Sequence, residues 1–254
     1  MKILVQHFLV LAGFSAAILF AQTPGPVTVI NYSNLDVKAP VAPGSIASAY
    51  GNFGTVATTA LASLNPMPTT LANVRLTVGG VNAPLYFVSA NQINFVVPVG
   101  TAIGAAPIEV VNGSATVARG TVNVYDFWPA LATAGTDATR PAIAQNQNFG
   151  INGREARARR GEVIQFYATG CGVTNPRVTD GVPPATLSRA VADVKVTMSV
   201  VEVTPQFAGA HPQFPGICQI NAVIPDNSFI SGQVPVIVTI NGIASNAVSI
   251  WVAE

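Results

Sequence analysis

Acid–base chemistry in this chain would have to come from one imidazole and a few carboxylates. Of two histidines, His7 lies in an apolar opening segment, which leaves His211. Among the acids, Asp180 and Asp226 stand in turn-like settings, Thr179-Asp180-Gly181 and Pro225-Asp226-Asn227. Two carboxylates about 5–10 Å apart can divide the acid and base roles of glycoside hydrolysis, so Asp180, Asp226 and His211 define an alternative reading as a secreted hydrolase. An Asp ahead of Gly or Asn has a plainer use, which is to cap a turn by accepting from nearby backbone. No Gly-x-Ser-x-Gly elbow, His-Glu-x-x-His pair, Walker loop or Asp-rich calcium loop occurs. A single imidazole excludes any site that needs two. The leading expectation is therefore a protein that is not an enzyme and uses no cofactor or metal.

Two further constellations bear on binding and stability. The segment Thr204 to Ile217 carries Phe207, His211 and Phe214 among prolines and glycines, a candidate binding loop whose rings suit a sugar face or a partner's groove. The rings can equally fold back and cover the open end of the domain. Cys171 and Cys218 are the only cysteines. In an exported chain they suit a disulfide, since the end of one antiparallel strand meets the start of the next. Two buried free thiols are the alternative.

The elements that must hold these residues are strands, written twice. The octapeptide NQINFVVP at Asn91–Pro98 returns as CQINAVIP at Cys218–Pro225. In the first copy Ile93, Phe95 and Val97 share one face and Gln92 and Asn94 the other; Ile220, Ala222 and Ile224 alternate with Gln219 and Asn221 in the second. Because both copies keep these amides, they are expected to satisfy backbone groups of a neighbouring loop. Short Val, Ile, Thr and Phe runs are punctuated by Gly79-Gly80, Asn112-Gly113, Asn152-Gly153 and Asn241-Gly242, pairs suited to tight hairpin turns. The predicted fold is all-β, with two tandem immunoglobulin-like β-sandwich domains of about 100 residues each. The first is expected over residues 22–128 and the second over 141–254, with a connector over 129–140.

Residues 1–21 read as a signal peptide, with Lys2, an apolar run from Phe8 to Phe20, and Ala21 before the cut. The run is short for a membrane span, which needs about 20 apolar residues, so none is expected after signal removal. The expected location is secreted, periplasmic or cell envelope. Charged residues are 9% of the chain and the net charge is +1. Such a surface has no long-range field to hold nucleic acid. The one basic run, Arg154, Arg157, Arg159 and Arg160, fits a solvated hairpin better than a polyanion site.

Several pieces resemble an exported acidobacterial family, the Solibacter uncharacterised C-terminal domain family. They are APGSIAS at 42–48, YGNFGT at 50–55, PTTL at 68–71 and VGGVNAPLYFVSANQINFVVP in the first half. RRGEVIQFYATGCG, FAGAHPQFPGICQIN and GIASNAVSIWV match in the second. The resemblance implies a non-catalytic β module found in extracellular proteins, and it brings no catalytic residues with it. The chain departs from that pattern in Cys171 and Cys218, which stand where the family looks apolar. The function expected is cell-surface interaction or assembly, by contact with a protein or glycan. Subunits joined by strand exchange at an exposed edge are a further possibility.

Overall fold

The computed structural model describes residues 23–33, 39–56, 60–63, 65–134 and 140–254. The expected signal peptide lies outside them, as does part of the expected connector. Every regular element among the described residues is a strand, and none of their segments is a helix long and apolar enough to cross a membrane. The first nine strands are β1 (Gly25–Asn31), β2 (Ile46–Gly51), β3 (Ala60–Leu61), β4 (Val74–Val78), β5 (Val81–Asn82), β6 (Leu85–Val88), β7 (Gln92–Val96), β8 (Gly104–Asn112) and β9 (Ala115–Val124). There follow β10 (Ala130–Leu131), β11 (Ala144–Gln145), β12 (Val163–Thr169), β13 (Thr174–Asn175), β14 (Arg189–Ala190), β15 (Val194–Met198) and β16 (Val201–Val203). The last are β17 (Phe207–Ala210), β18 (Cys218–Val223), β19 (Gly232–Ile240), β20 (Ile243–Ala244) and β21 (Val248–Val252).

Three sheets result, and their strand orders correspond. One nine-stranded sheet runs β3-β6-β7-β2-β1-β9-β8-β4-β5. It curls because β1 changes partners along its length: Val27–Asn31 lie antiparallel to β2, while Gly25 and Pro26 lie parallel to β9. In the second half the order β14-β17-β18-β12, with β11 beside β12, repeats β3-β6-β7-β2-β1, and β16-β15-β19 with β20 and β21 repeats β5-β4-β8-β9. There the parallel contacts shrink to isolated bridges, Pro141 to Ser249 and Ala158 to Val252, and two sheets stand separate.

The hydrophobic alternation decides which face is inside. Ala47, Ala49, Ile93 and Phe95 are buried in a cluster with Phe53, Leu76, Leu85 and Ile108. Ile164, Phe166, Ile220 and Ala222 are buried in another with Met198, Val236 and Ile250. The expected amide role needs correction. Gln92 Nε2 donates to Asn94 Oδ1 (2.8 Å), and Ser48 Oγ donates to the same oxygen (2.9 Å). Gln219 Nε2 donates to Asn221 Oδ1 (3.0 Å) and Gln165 Oε1 (3.2 Å). Among the described residues the repeated amides thus form ladders along the outward sheet faces and bond no loop backbone.

Turns behave unevenly. Gly79-Gly80, with φ of 59° and 83°, and Asn241-Gly242, with 44° and 86°, close two-residue hairpins in the left-handed conformations such turns require. At Asn112-Gly113 the register pairs Asn112 with Ala115, so the turn is Gly113-Ser114 and Asn112 Nδ2 donates to Phe53 O (2.9 Å). Asn152-Gly153 joins no strands. Asn152 is buried, donating to Asn146 Oδ1 (2.8 Å) and Trp251 O (2.9 Å) and accepting from Trp251 N (2.8 Å). The basic run lies against that same residue, with the Arg154 and Arg157 guanidinium groups 6.0 and 5.7 Å from the Trp251 ring centre. Within the expected connector, Ala130 and Leu131 are buried and pair with β12.

The crossing of β1 depends on two missing side chains. A Cβ on Gly120 would sit 2.4 Å from Val27 O, and one on Gly51 2.8 Å from Pro26 O. Both contacts are backbone, so nothing flexible can yield. Gly120→Ala is expected to cost about 1–3 kcal/mol by overpacking, measured by urea denaturation. Gly100→Ala, which meets nothing within 4 Å, serves as the control; equal losses in both would show that the crossing does not depend on Gly120.

Candidate functional site

The outward faces of the two amide-bearing sheets do not both meet bulk water. A cleft of ≈ 680 Å³ lies between them. From the first half come Tyr32, Ile46 on β2, Tyr86 and Phe87 on β6, Gln92 and Asn94 on β7, and Leu61 on β3. The second half contributes Ala132, Ile143, Gln145 on β11, Tyr167 on β12, and His211, Phe214 and Ile217 from the loop before β18. Among the described residues, no Asp, Glu, Lys or Arg lines it.

The walls are joined along one seam. Ile46 N–H donates to Thr169 Oγ1 (2.7 Å), and that hydroxyl donates to Gly216 O (3.0 Å). Tyr86 OH donates to Pro215 O. Ile46, Met67 and Val96 form a small buried cluster with Tyr86 and Ile217 against it. Gly216 permits the approach: at φ +81° it leaves room where a Cβ would lie 2.7 Å from Ile46 Cγ1. Beside this, Val99 N donates to Asp180 Oδ1 (2.7 Å), Arg177 donates to Val99 O, and Met67 N donates to Gly181 O (2.8 Å).

His211 is an organiser of its own loop. Gln213 N and Phe214 N both donate to its Nδ1 (3.0 and 3.2 Å), so the neutral ring carries its proton on Nε2. Its ring packs 5.6 Å from Tyr167 and 4.9 Å from Phe214. Burial holds its pKa below the ordinary histidine value. Burial also raises Tyr86 and Tyr167 above the ordinary phenol range, so both stay protonated, and Tyr167 OH donates to Gln145 Oε1 (2.5 Å).

The residues singled out by sequence part company here. His211 and Phe214 line the cleft, but Phe207 does not: it is buried in β17 with the Arg189 guanidinium 5.2 Å above its ring. Asp180 and His211 border a small cavity of ≈ 50 Å³ beside the cysteines, yet the Asp180 carboxylate is engaged by Val99 N–H. Asp226 is absent from that lining; its side chain is 91% exposed and faces Arg160 at 3.9 Å. The hydrolase trio is not assembled. Among the described residues no cluster of three or more His, Cys, Asp or Glu could hold a metal ion. Cys171 and Cys218 form a disulfide with Cα atoms 6.2 Å apart, joining the end of β12 to the start of β18. Tyr86 and Phe87 belong to Leu85-Tyr86-Phe87, an aromatic candidate of the first half that reads as strand and is one; Tyr167, Gln145 and the amides of β7 are site residues that sequence reasoning missed, and for the amides the repetition of Gln-Ile-Asn pointed to structure.

No protein-family model matches the chain, and no curated protein matches it. Among solved structures it is similar to a surface glycan-binding protein, SGBP-B, of the Bacteroides ovatus mixed-linkage glucan utilization locus in complex with a heptasaccharide. That match has 15% identity and a TM-score of 0.34, over 85% of this chain and 43% of the other. A β-glycosidase from Bacteroides vulgatus matches at 13% identity and TM-score 0.22 over 91% of this chain and 25% of the other. The tandem Ig repeats of Dlar match at 11% and 0.21 over 90% and 98%. The chain thus spans less than half the length of the first two. It is an all-β protein with distant structural matches, and no family is assigned to it.

Two outcomes follow. A proton on Nδ1 would displace two backbone donors, so the folded state resists protonating His211 while the unfolded chain accepts a proton below about pH 6.5. Stability is then complete above that value and falls as pH drops toward the lowered folded pKa. Urea midpoints from pH 7.5 to 4.5 are expected to fall more steeply for the wild type than for His211→Asn; parallel curves would discount the imidazole. Separately, replacing both cysteines by Ser is expected to remove up to about 4 kcal/mol by freeing the closed loop, and an unchanged denaturation midpoint would contradict that.

Proposed function

We propose that this chain is an exported, non-catalytic binding protein of the cell surface, built as two tandem immunoglobulin-like sandwiches that hold a ligand between them. The support for the sandwiches is the strand order. Read as A to G, β1-β2-β7-β6 and β9-β8-β4-β5 follow the A-B-E-D and G-F-C order of such folds, and the second half repeats it. The division near residues 128 and 141 is supported by the two buried clusters, one drawn from Val27 to Val124 and the other from Leu131 to Val252. Export is supported by the opening segment and by the disulfide, which persists in oxidising compartments. The motifs shared with the exported acidobacterial family fall at structural positions, such as Gly44 at φ +75° and the fully buried Phe53, and so agree with a common module.

The observation that carries the binding reading is the cleft, walled by aromatic rings and amides from both halves and by no charged side chain among the described residues. Concave sites of this size, mostly apolar with a few fixed polar groups, are where ligands are held. Strand exchange has less to offer, because the edge strands β3, β5, β13 and β16 are two or three residues long and the outer edge of the longer β21 is already paired with Arg140, Ala142, Asn152 and Ala158, which leaves few unpaired backbone groups.

Ile143→Trp, at a partly exposed cleft position, is expected to fill the cleft and reduce retention of cell-envelope glycan or protein fractions on the immobilised protein by about tenfold or more. Val200→Trp, at an exposed site outside the cleft lining, is expected to leave retention unchanged. Retention that ignores Ile143→Trp would place binding elsewhere on the surface.

A further inference from the structure

Resting on the reading of the cleft as the binding site, we infer that its ligand is a neutral oligosaccharide segment, recognised by paired aromatic walls and by amide groups of Asn94 and Gln145 that are held in place yet have donors to spare. The first step is charge. No ionised side chain of the described residues lines the cleft, and His211 is kept neutral by the two backbone N–H groups on Nδ1. A carboxylated, sulfated or phosphorylated ligand would lose water there and meet no opposite charge, which is costly. An uncharged ligand has no such penalty.

The second step is the pattern of used and unused polar atoms. Asn94 Oδ1 accepts from both Gln92 and Ser48, which fixes the amide plane and leaves its Nδ2 hydrogens with no acceptor among the described residues. Gln145 Oε1 accepts from Tyr167 OH, which leaves its Nε2 in the same state. Gln92 Nε2 is engaged, while its Oε1 accepts from nothing among those residues. Two oriented donors and one oriented acceptor therefore remain, all wet, since no buried side-chain polar atom lacks a partner. Sugar hydroxyls both donate and accept, so they can replace that water without leaving an orphan on either side.

The third step is shape. Tyr86 and Phe87 belong to one wall and Tyr167 and Phe214 to the other. Aromatic rings that line a slot from both sides suit a pyranose, which presents a C–H face to the negative face of an aromatic. A peptide is less well served. Extended peptides are held by backbone pairing at a sheet edge, whereas the edge strand that borders this cleft, β3, is only two residues long and the amides are carried on sheet faces.

The test is competition for envelope retention by hexaoses of β-1,4-glucose, α-1,4-glucose, xylose and mannose, set against polygalacturonate fragments and a mixed tryptic peptide pool. At least one neutral hexaose is expected to compete and to bind directly by calorimetry, with an affinity that is unchanged between 0.15 and 1 M salt, as an uncharged contact requires. Asn94→Ala and Phe214→Ala are each expected to weaken it by about tenfold, with circular dichroism and thermal midpoints checking that both remain folded. If retention is lost in Ile143→Trp but only the acidic fragments or the peptides compete, or no neutral hexaose does, the carbohydrate assignment falls and the cleft reading stands. If a neutral hexaose binds equally well to Ile143→Trp, the cleft is not the site and both fall.

Discussion

A single hydroxyl sets the relation between the two halves. Thr169 ends β12 buried, accepts from Ile46 N–H of the first half and donates to Gly216 O of its own. Each bond contributes only about 1 kcal/mol net. The larger constraint is what its loss would leave behind, since Ile46 N–H is enclosed by Val96, Ile217 and the Gly216 backbone, and an unsatisfied buried donor costs about 1–3 kcal/mol. The hydroxyl therefore fixes the seam by making every other spacing worse. Gly216 makes the spacing available, because any side chain would push against Ile46 and Val96.

Duplication explains the walls, and the differences between copies explain the seam. Both halves repeat an inward apolar row and an outward amide row, so each supplies a polar sheet face. What the first half lacks is the longer segment before its repeated strand. In the second half that segment becomes β17 and the loop from His211 to Ile217, tied by His211 Nδ1 at one end and by the Cys171–Cys218 bridge at the other. Pro215 and Gly216 then reach across to Tyr86 and Ile46. The asymmetric insertion is thus the part that docks one copy on the other, and the aromatic loop, read from sequence as either a ligand contact or a cover, is first of all a structural clasp whose Phe214 also borders the cleft.

Much of the fold was legible because its causes are local. The alternation of Ile93 and Phe95 with Gln92 and Asn94, and the positive-φ pairs Gly79-Gly80 and Asn241-Gly242, act within a few residues of chain. Asn112 and Asn152 carry the same turn signature, but their amides find partners in Phe53 and Trp251, a tertiary matter that no short window reveals. The site was harder for the same reason. Tyr86 and Tyr167 belong to different halves, and Gln145 matters only because the Tyr167 hydroxyl bonds it. Asp180, expected to cap its own turn, caps a distant one through Val99 N–H.

The cleft stays open for a reason visible in its lining. Closing it further would bury the rings of Tyr86, Phe87, Tyr167 and Phe214, which favours closure by about 25 cal/mol for each Å² of apolar surface removed from water. Closure would also strip water from the Asn94, Gln92 and Gln145 amides, each costing about 1–3 kcal/mol where no partner replaces it. The intramolecular bonds orient these amides but do not saturate them, and with two spare donors against one spare acceptor among them, closure would leave a donor without an amide partner. The neutral oligosaccharide proposed above would remove both objections together, with hydroxyls on its rim and apolar C–H groups on its face.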